Sequence, residues 1–219
     1  MSNEFHSTRS FATITTTDVE VAREKFIAGE PRNLFYLVAT ELIDLASSKA
    51  TKVSVAQALA VLLQTWNVSF YRFRGGFRGE DLTTIESLIS QHFATTRQYR
   101  QRAIRSFVPD EEAAVRMLFE SFEHGLGAVG AAKCLHLLAP NFFPLWDRAI
   151  AKAYRVKPDG HGYLEFMRIT KGQCQSLINE GASWPDLVKA IDEYNYCIYT
   201  LKIGQEGGAE RVGREKSTD

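Results

Sequence analysis

The chain has 219 residues, 45% of them hydrophobic, with 26 basic and 26 acidic side chains that leave a formal net charge of zero. That length and apolar content suffice to bury a full core, while the charge balance excludes a uniformly cationic coat for nucleic acid and a strongly acidic, solvated chain. No segment approaches the roughly 18 consecutive apolar residues of a membrane span, and residues 1–6 lack the basic start and apolar run of a secretory leader, so a cytoplasmic protein with no membrane partner is expected.

Taken in chain order, residues 1–17 are Ser/Thr-rich and predict an irregular segment. From there, apolar positions at i, i+3, i+4 and i+7 predict helices near 18–28, 32–48, 54–70, 80–96, 110–124, 130–138, 147–154, 163–180 and 185–202. Strand signals are almost missing, so the expected class is all-α, with one helical domain over 18–204. Asp18 and Asp110 stand ahead of helical runs, the Ser54 hydroxyl can cap, and Pro185 fits the first turn after Ser183. Residues 205–219 are polar and glycine-rich and predict a mobile tail. Cys134, Cys174 and Cys197 are odd in number, far apart and each within a helical pattern, which favours buried thiols over disulfide, zinc or iron–sulfur ligation. His161 and Asp159 fall in an expected turn, and no two-His-plus-carboxylate spacing supports a metal site. No cofactor is expected.

Two regions carry chemical signals before any family is considered. Residues 71–105 hold seven arginines (Arg72, Arg74, Arg78, Arg97, Arg100, Arg102, Arg105) against three acids (Glu80, Asp81, Glu86), and the planar guanidinium suits phosphate. Within it, Tyr71-Arg72-Phe73-Arg74-Gly75-Gly76-Phe77-Arg78-Gly79 interleaves aromatics and arginines around glycines. Such a loop can stack on bases and grip a backbone, or it can be a surface loop whose phenylalanines pack inward; the sequence leaves both open.

The second region is 125–150. Gly125, Gly127 and Gly130 interrupt two helix-patterned segments and predict a tight hairpin, with a new helix starting near Gly130 whose free N–H groups suit an anion. Pro140 stops that helix, and the turn Asn141-Phe142-Phe143-Pro144 delivers Asp147 to the N-cap of a helix over 148–154. Asp147 is then either a plain cap, worth about 1 kcal/mol, or a reactive carboxylate.

The order hairpin, helix, Pro-containing turn, Asp, helix resembles the helix–hairpin–helix DNA glycosylase superfamily, whose core reads Leu-Pro-Gly-Val-Gly, then a helix, then a loop ending in a catalytic Asp with an apolar residue three positions on. Here the matching positions are Leu126, Gly127, Ala128, Val129 and Gly130, then Asp147 and Ile150. Gly127 stands where the family commonly has Pro, and Ala128 where it has the first hairpin glycine. Bifunctional members carry Lys two residues past the second glycine; that place is Ala132 here, with Lys133 one step on.

The resemblance implies a two-lobed helical fold that binds duplex DNA as a monomer, flips out a damaged or modified base and hydrolyses its N-glycosidic bond. Asp147 would stabilise the cationic sugar, with Lys133 as a candidate amine nucleophile that would add weak lyase activity. Gly125, Gly127, Val129 and Gly130, with Arg72, Arg74 and Arg78, would contact the DNA backbone. Gln64, Trp66 and Asn67 resemble the wedge and pocket corner at the end of an early helix, while His136, Trp146, Tyr163 and Phe166 are pocket candidates that could equally be core. Oxidised purines, alkylated bases and hypermodified phage cytosines all fit, so base-excision repair and antiviral defence are both expected roles. The alternatives are a helix–hairpin–helix DNA-binding module without catalysis and a helical protein-interaction domain.

Overall fold

Residues 13–203, the part that the computed structural model describes, form nine α-helices, two 3-10 turns and one π-helical turn, with no strand among the described residues. The expected irregular start and mobile tail fall almost wholly on residues outside this range; of the start, Thr16 and Thr17 already belong to a helix. The helices are α1 (Thr16–Gly29), α2 (Asn33–Ser47), α3 (Val55–Trp66), α4 (Val68–Arg72) and α5 (Gly79–Arg100), then α6 (Glu112–Leu138), α7 (Arg148–Ala153), α8 (Gly160–Asn179) and α9 (Leu187–Asn195). The 3-10 turns are Ile104–Ser106 and Pro109–Glu111, and the π-helical turn is Tyr196–Thr200.

The starts follow side-chain capping. Ser54 accepts from the Gln57 amide while the Gln57 side chain accepts from the Ser54 amide, a reciprocal box that satisfies two otherwise orphan donors. At α1 the cap is Thr15, not Asp18; Asp18 instead sits at the third helical position and returns a hydrogen bond to the Thr15 amide at 3.1 Å. Asp159 caps α8 through the Gly162 amide, so that helix begins three residues before the expected 163 and Asp159 is no mere turn residue. Asp110 lies within a 3-10 turn ahead of α6, and α9 starts at Leu187, two residues beyond Pro185. The expected helix 54–70 is two helices, α3 and α4, divided at Asn67.

The largest apolar cluster lies where α2, α3, α5, α6, α7 and α8 converge. Its axis is the second half of α6, in which every residue from Gly130 to Leu138 is buried. α3 contributes Leu59, Leu62 and Leu63, each at most 1% exposed; full burial of such a side chain is worth about 1.5–3 kcal/mol. Two smaller clusters join α1 to the other end of the chain, one through Val19, Leu177 and Ile191 and one through Phe26 and Cys197. All three cysteines are free, buried thiols.

The predicted hairpin over 125–130 contracts to a single residue. α6 is helical on both sides of Gly127, whose φ of 70° and ψ of 162° break the helix between Leu126 and Ala128. A side chain there would be strained by its φ and would press to 3.2 Å from the Phe70 ring, so glycine is required twice over. No helix among the described residues is long and apolar enough to cross a membrane.

Candidate active site

A cavity of about 750 Å³ opens against the Gly127 break, walled by the ends of α1 and α3, by α4, by the turn 145–150 and by the π-helical turn. Asp147 and Lys133 both line it.

Asp147 is half-buried at the N-cap of α7. One carboxylate oxygen accepts from the Ile150 amide at 2.8 Å and the other from the Thr200 hydroxyl at 2.6 Å. Hydrogen bonds on both oxygens fix its plane. Cap and oriented carboxylate are therefore one arrangement, not rival readings.

Lys133 is 8% exposed. Its ammonium donates to the Trp66 carbonyl, and burial pushes its pKa down to about 8 against the opposing pull of Asp147 and Asp192. A buried amine titrating there carries an appreciable neutral fraction near pH 7, the form a nucleophile needs. The neighbouring Cys134 thiol, wholly buried, is pushed up and stays protonated.

The rest of the wall is polar at its edges. Glu30 holds Arg32 in a 2.6 Å ion pair and accepts from the Tyr196 hydroxyl at 2.8 Å; the Arg32 hydrogen bonds lower its carboxyl to about 2. Asp192 and Glu123 also line the cavity, and burial raises both carboxyls. None of these side chains carried a local sequence signal, because the geometry that gathers them spans most of the chain.

The expected site residues divide. Trp66, Asn67, Gly127, Val129 and Trp146 line the cavity with Asp147 and Lys133. The Trp146 indole donates to the Ala128 carbonyl at 3.1 Å, tying the turn before Asp147 to the break in α6. Asn67 is 8% exposed, and its amide nitrogen has no hydrogen-bond partner among the described residues.

Gln64 is exposed and off the cavity wall, so the expected wedge at the end of α3 lacks that member. Tyr163 is fully buried, stacked on Phe119 at 4.1 Å and donating to the Pro144 carbonyl; Phe166 is likewise core. His136 is also fully buried. Its Nδ1 lies 2.8 Å from the Phe143 carbonyl, which can only accept, so Nδ1 donates and Nε2 accepts from the Tyr36 hydroxyl at 2.9 Å. Burial lowers its pKa to about 3, which makes it a neutral brace for the 139–147 turn and not a proton shuttle. These three residues are packing: His136 lies on the buried second half of α6, and Tyr163 and Phe166 lie on the face of α8 turned to the core.

The glycines split likewise. Gly125 packs against Thr84 and Leu88, and Gly130 against Leu126 and Asn67; neither lines the cavity. Arg72, the last residue of α4, and Arg74 and Arg78, on the loop after it, are exposed. Arg74 pairs with Asp81 at 3.2 Å and lies 5.0 Å over the Phe70 ring. Arg78 donates to the Arg74 carbonyl at 2.7 Å, and the Arg72 side chain makes no ion pair or hydrogen bond among the described residues.

Comparison with known protein families, with curated proteins and with solved structures finds no match to this chain.

Proposed function

We propose that this chain is a two-lobed helix–hairpin–helix DNA glycosylase that draws a damaged or modified base out of a duplex and cleaves its N-glycosidic bond. The observation that carries the reading is the shared cavity: a carboxylate oriented by two hydrogen bonds and an amine of lowered pKa face one space of about 750 Å³, ample for an extruded nucleotide. A stacked base is out of reach of any side chain, so the nucleotide must leave the helix, at a cost of a few kcal/mol that a mispaired or modified base reduces. As the bond to the base stretches, positive charge grows on the deoxyribose. The Asp147 carboxylate, held by the Ile150 amide and the Thr200 hydroxyl, would stabilise that charge without having to reorganise.

A second reading concerns how far the reaction goes. Lys133, with a pKa of about 8, would be neutral in about a tenth of molecules at pH 7 and could attack the sugar carbon, expelling the base and forming an imine that leads on to strand cleavage. That adds lyase chemistry to the hydrolytic route and follows from Lys133 facing the same cavity as Asp147.

The test is mass spectrometry of free bases released from DNA pools that include oxidised, alkylated and phage-modified genomes. Wild type should release one class of base. Asp147→Asn, which preserves a good cap, should keep the melting temperature within a few degrees and lose release by about 100-fold or more. Unchanged release would remove Asp147 from the chemistry. Borohydride trapping of a covalent adduct in wild type, absent in Lys133→Met, would establish the imine; no adduct would leave the hydrolytic route alone.

A further inference from the structure

α5 and α8, the longest unbroken helices of the frame, expose no large apolar side chain, whereas α2 exposes four: Leu34 at 60%, Leu37 at 58%, Val38 at 40% and Phe35 at 36%. Single apolar residues on a surface are ordinary, but a contiguous row marks a contact. Leu37, Val38, Glu41 and Leu45 lie three, four, seven and eleven residues beyond Leu34 and so share one stripe of α2, turned away from the buried Tyr36, Ala39 and Ile43. None of the stripe lines the cavity that holds Asp147 and Lys133.

The charges on this face select its occupant. Glu41 is exposed, and its side chain makes no ion pair or hydrogen bond among the described residues, while Asp44 is already paired with Arg100. The N-terminus of α2 has no side-chain cap and no acid in its first turn, and Arg32 stands at the cap position, so the positive end of the helix dipole is unanswered. An unpaired carboxylate and a positive end on one stripe are the two halves of a self-complementary contact. Side by side in the same direction, two copies would bring Glu41 against the partner's Glu41. Run antiparallel about an axis between Leu37 and Val38, they bring Glu41 against the first turn of the partner's α2, at Leu34. The chain itself offers little to cover the row: residues 1–12 and 204–219 hold Met1, Phe5, Phe11 and Val212 as their large apolar side chains.

We propose that α2 is the seam of an isologous dimer, in which two copies of this chain pack the Leu34, Leu37, Val38 and Leu45 side chains together in antiparallel fashion and each Glu41 answers the N-terminus of the partner's α2. The pairing is independent of the chemistry at Asp147 and replaces the monomer that the glycosylase resemblance implies. One helix of 15 residues per copy is small for a specific interface, which starts at roughly 1,000 Å² in total. The dimer therefore forms reversibly, with a Kd on the order of 10 μM.

The experiment is sedimentation equilibrium of the full chain from about 1 to 200 μM, where the wild-type mass should rise from monomer toward dimer. Val38→Glu sets two carboxylates face to face beside the axis and should weaken association about 10-fold or more, with the melting temperature unchanged at this exposed position. Glu41→Lys should weaken it by a similar factor. The three native thiols are buried, so Val38→Cys should crosslink two copies under mild oxidation and Glu41→Cys should not. A wild type that stays monomeric across the whole range overturns the dimer. Association that Val38→Glu and Glu41→Lys leave intact places the contact on another face and also overturns it. Crosslinking through Glu41→Cys in place of Val38→Cys overturns the antiparallel register.

Discussion

Two lysines are buried in this helical frame, and their surroundings could hardly differ more. Lys189 on α9 is 3% exposed and meets Asp192 at 3.0 Å and Glu193 at 3.3 Å, one helical turn away. The rings of Phe26, Tyr36 and Trp66 lie 4.5, 5.0 and 5.7 Å from its ammonium. Lys133, on the axis of the main core, has only the Trp66 carbonyl as a hydrogen-bond partner among the described residues and feels the charges of Asp147 and Asp192. Trp66 touches both, its ring facing one amine and its carbonyl the other. A buried charge answered within its own helical turn serves architecture, whereas one answered by a neutral carbonyl is held close to giving up its proton.

The sharpest way to break that contrast is to delete each amine in turn. Lys189→Met leaves Asp192 buried beside an apolar chain and Glu193 with Arg23 at 2.9 Å as its remaining cation, and should cost about 3–5 kcal/mol in chemical denaturation at pH 7. Burial already raises both carboxyls, so the loss should shrink toward pH 5 as they take up protons; an equal loss at both pH values would refute the ion-pair account.

Lys133→Met should act with the opposite sign. Below about pH 8 the folded protein must carry a buried ammonium; between about 8 and the ordinary lysine value the unfolded chain holds a proton that the folded one has released. Wild-type stability should therefore rise with pH across that window. The methionine variant should lack the rise and gain about 1–3 kcal/mol at pH 7, the lost bond to the Trp66 carbonyl offsetting part. Destabilisation at pH 7 would show that the amine is bound as firmly as Lys189.

The smallest effect belongs to the Asp147 carboxylate. Thr200→Val removes the 2.6 Å hydrogen bond to Asp147 and should cost only about 1 kcal/mol of stability at this half-exposed position. Its effect on base release should be larger than its effect on melting, with Thr200→Ser restoring release. Equal losses in both would make the hydroxyl a packing element.

Much of this was legible in the chain itself, and the illegible part has a common cause. Apolar spacing marks the helical runs, because burial against a core is periodic along the chain, but it joins α4 to α3 and reads α6 as two helices. Ser54 as a cap and Asp147 as the residue that starts α7 are also local facts, settled by a hydroxyl or carboxylate three residues from the amide it serves. Boundaries slipped where two local signals competed: Thr15 outranked Asp18, and Asn67 split one apolar run into α3 and α4. The 125–130 glycines read as an equal set, yet only Gly127 has the backbone angles that demand glycine and a place on the cavity wall. His136 and Tyr163 misled because an imidazole or aromatic on a core-facing helix surface looks, one residue at a time, like one facing a cleft. Thr200, Asp192 and the Glu30–Arg32–Tyr196 group were invisible because each reaches the site across tens or hundreds of positions.

The bond from Thr200 to Asp147 spans 53 residues and comes from the last turn before the described part of the chain ends. During synthesis, α6 and α7 can emerge and meet while one side of that carboxylate still faces solvent. Its orientation is set only when Tyr196–Thr200 arrives. Cutting the chain back to Asn195 would thus free one carboxylate oxygen and leave the other on the Ile150 amide, so the second anchor is the last to form and the first to be lost.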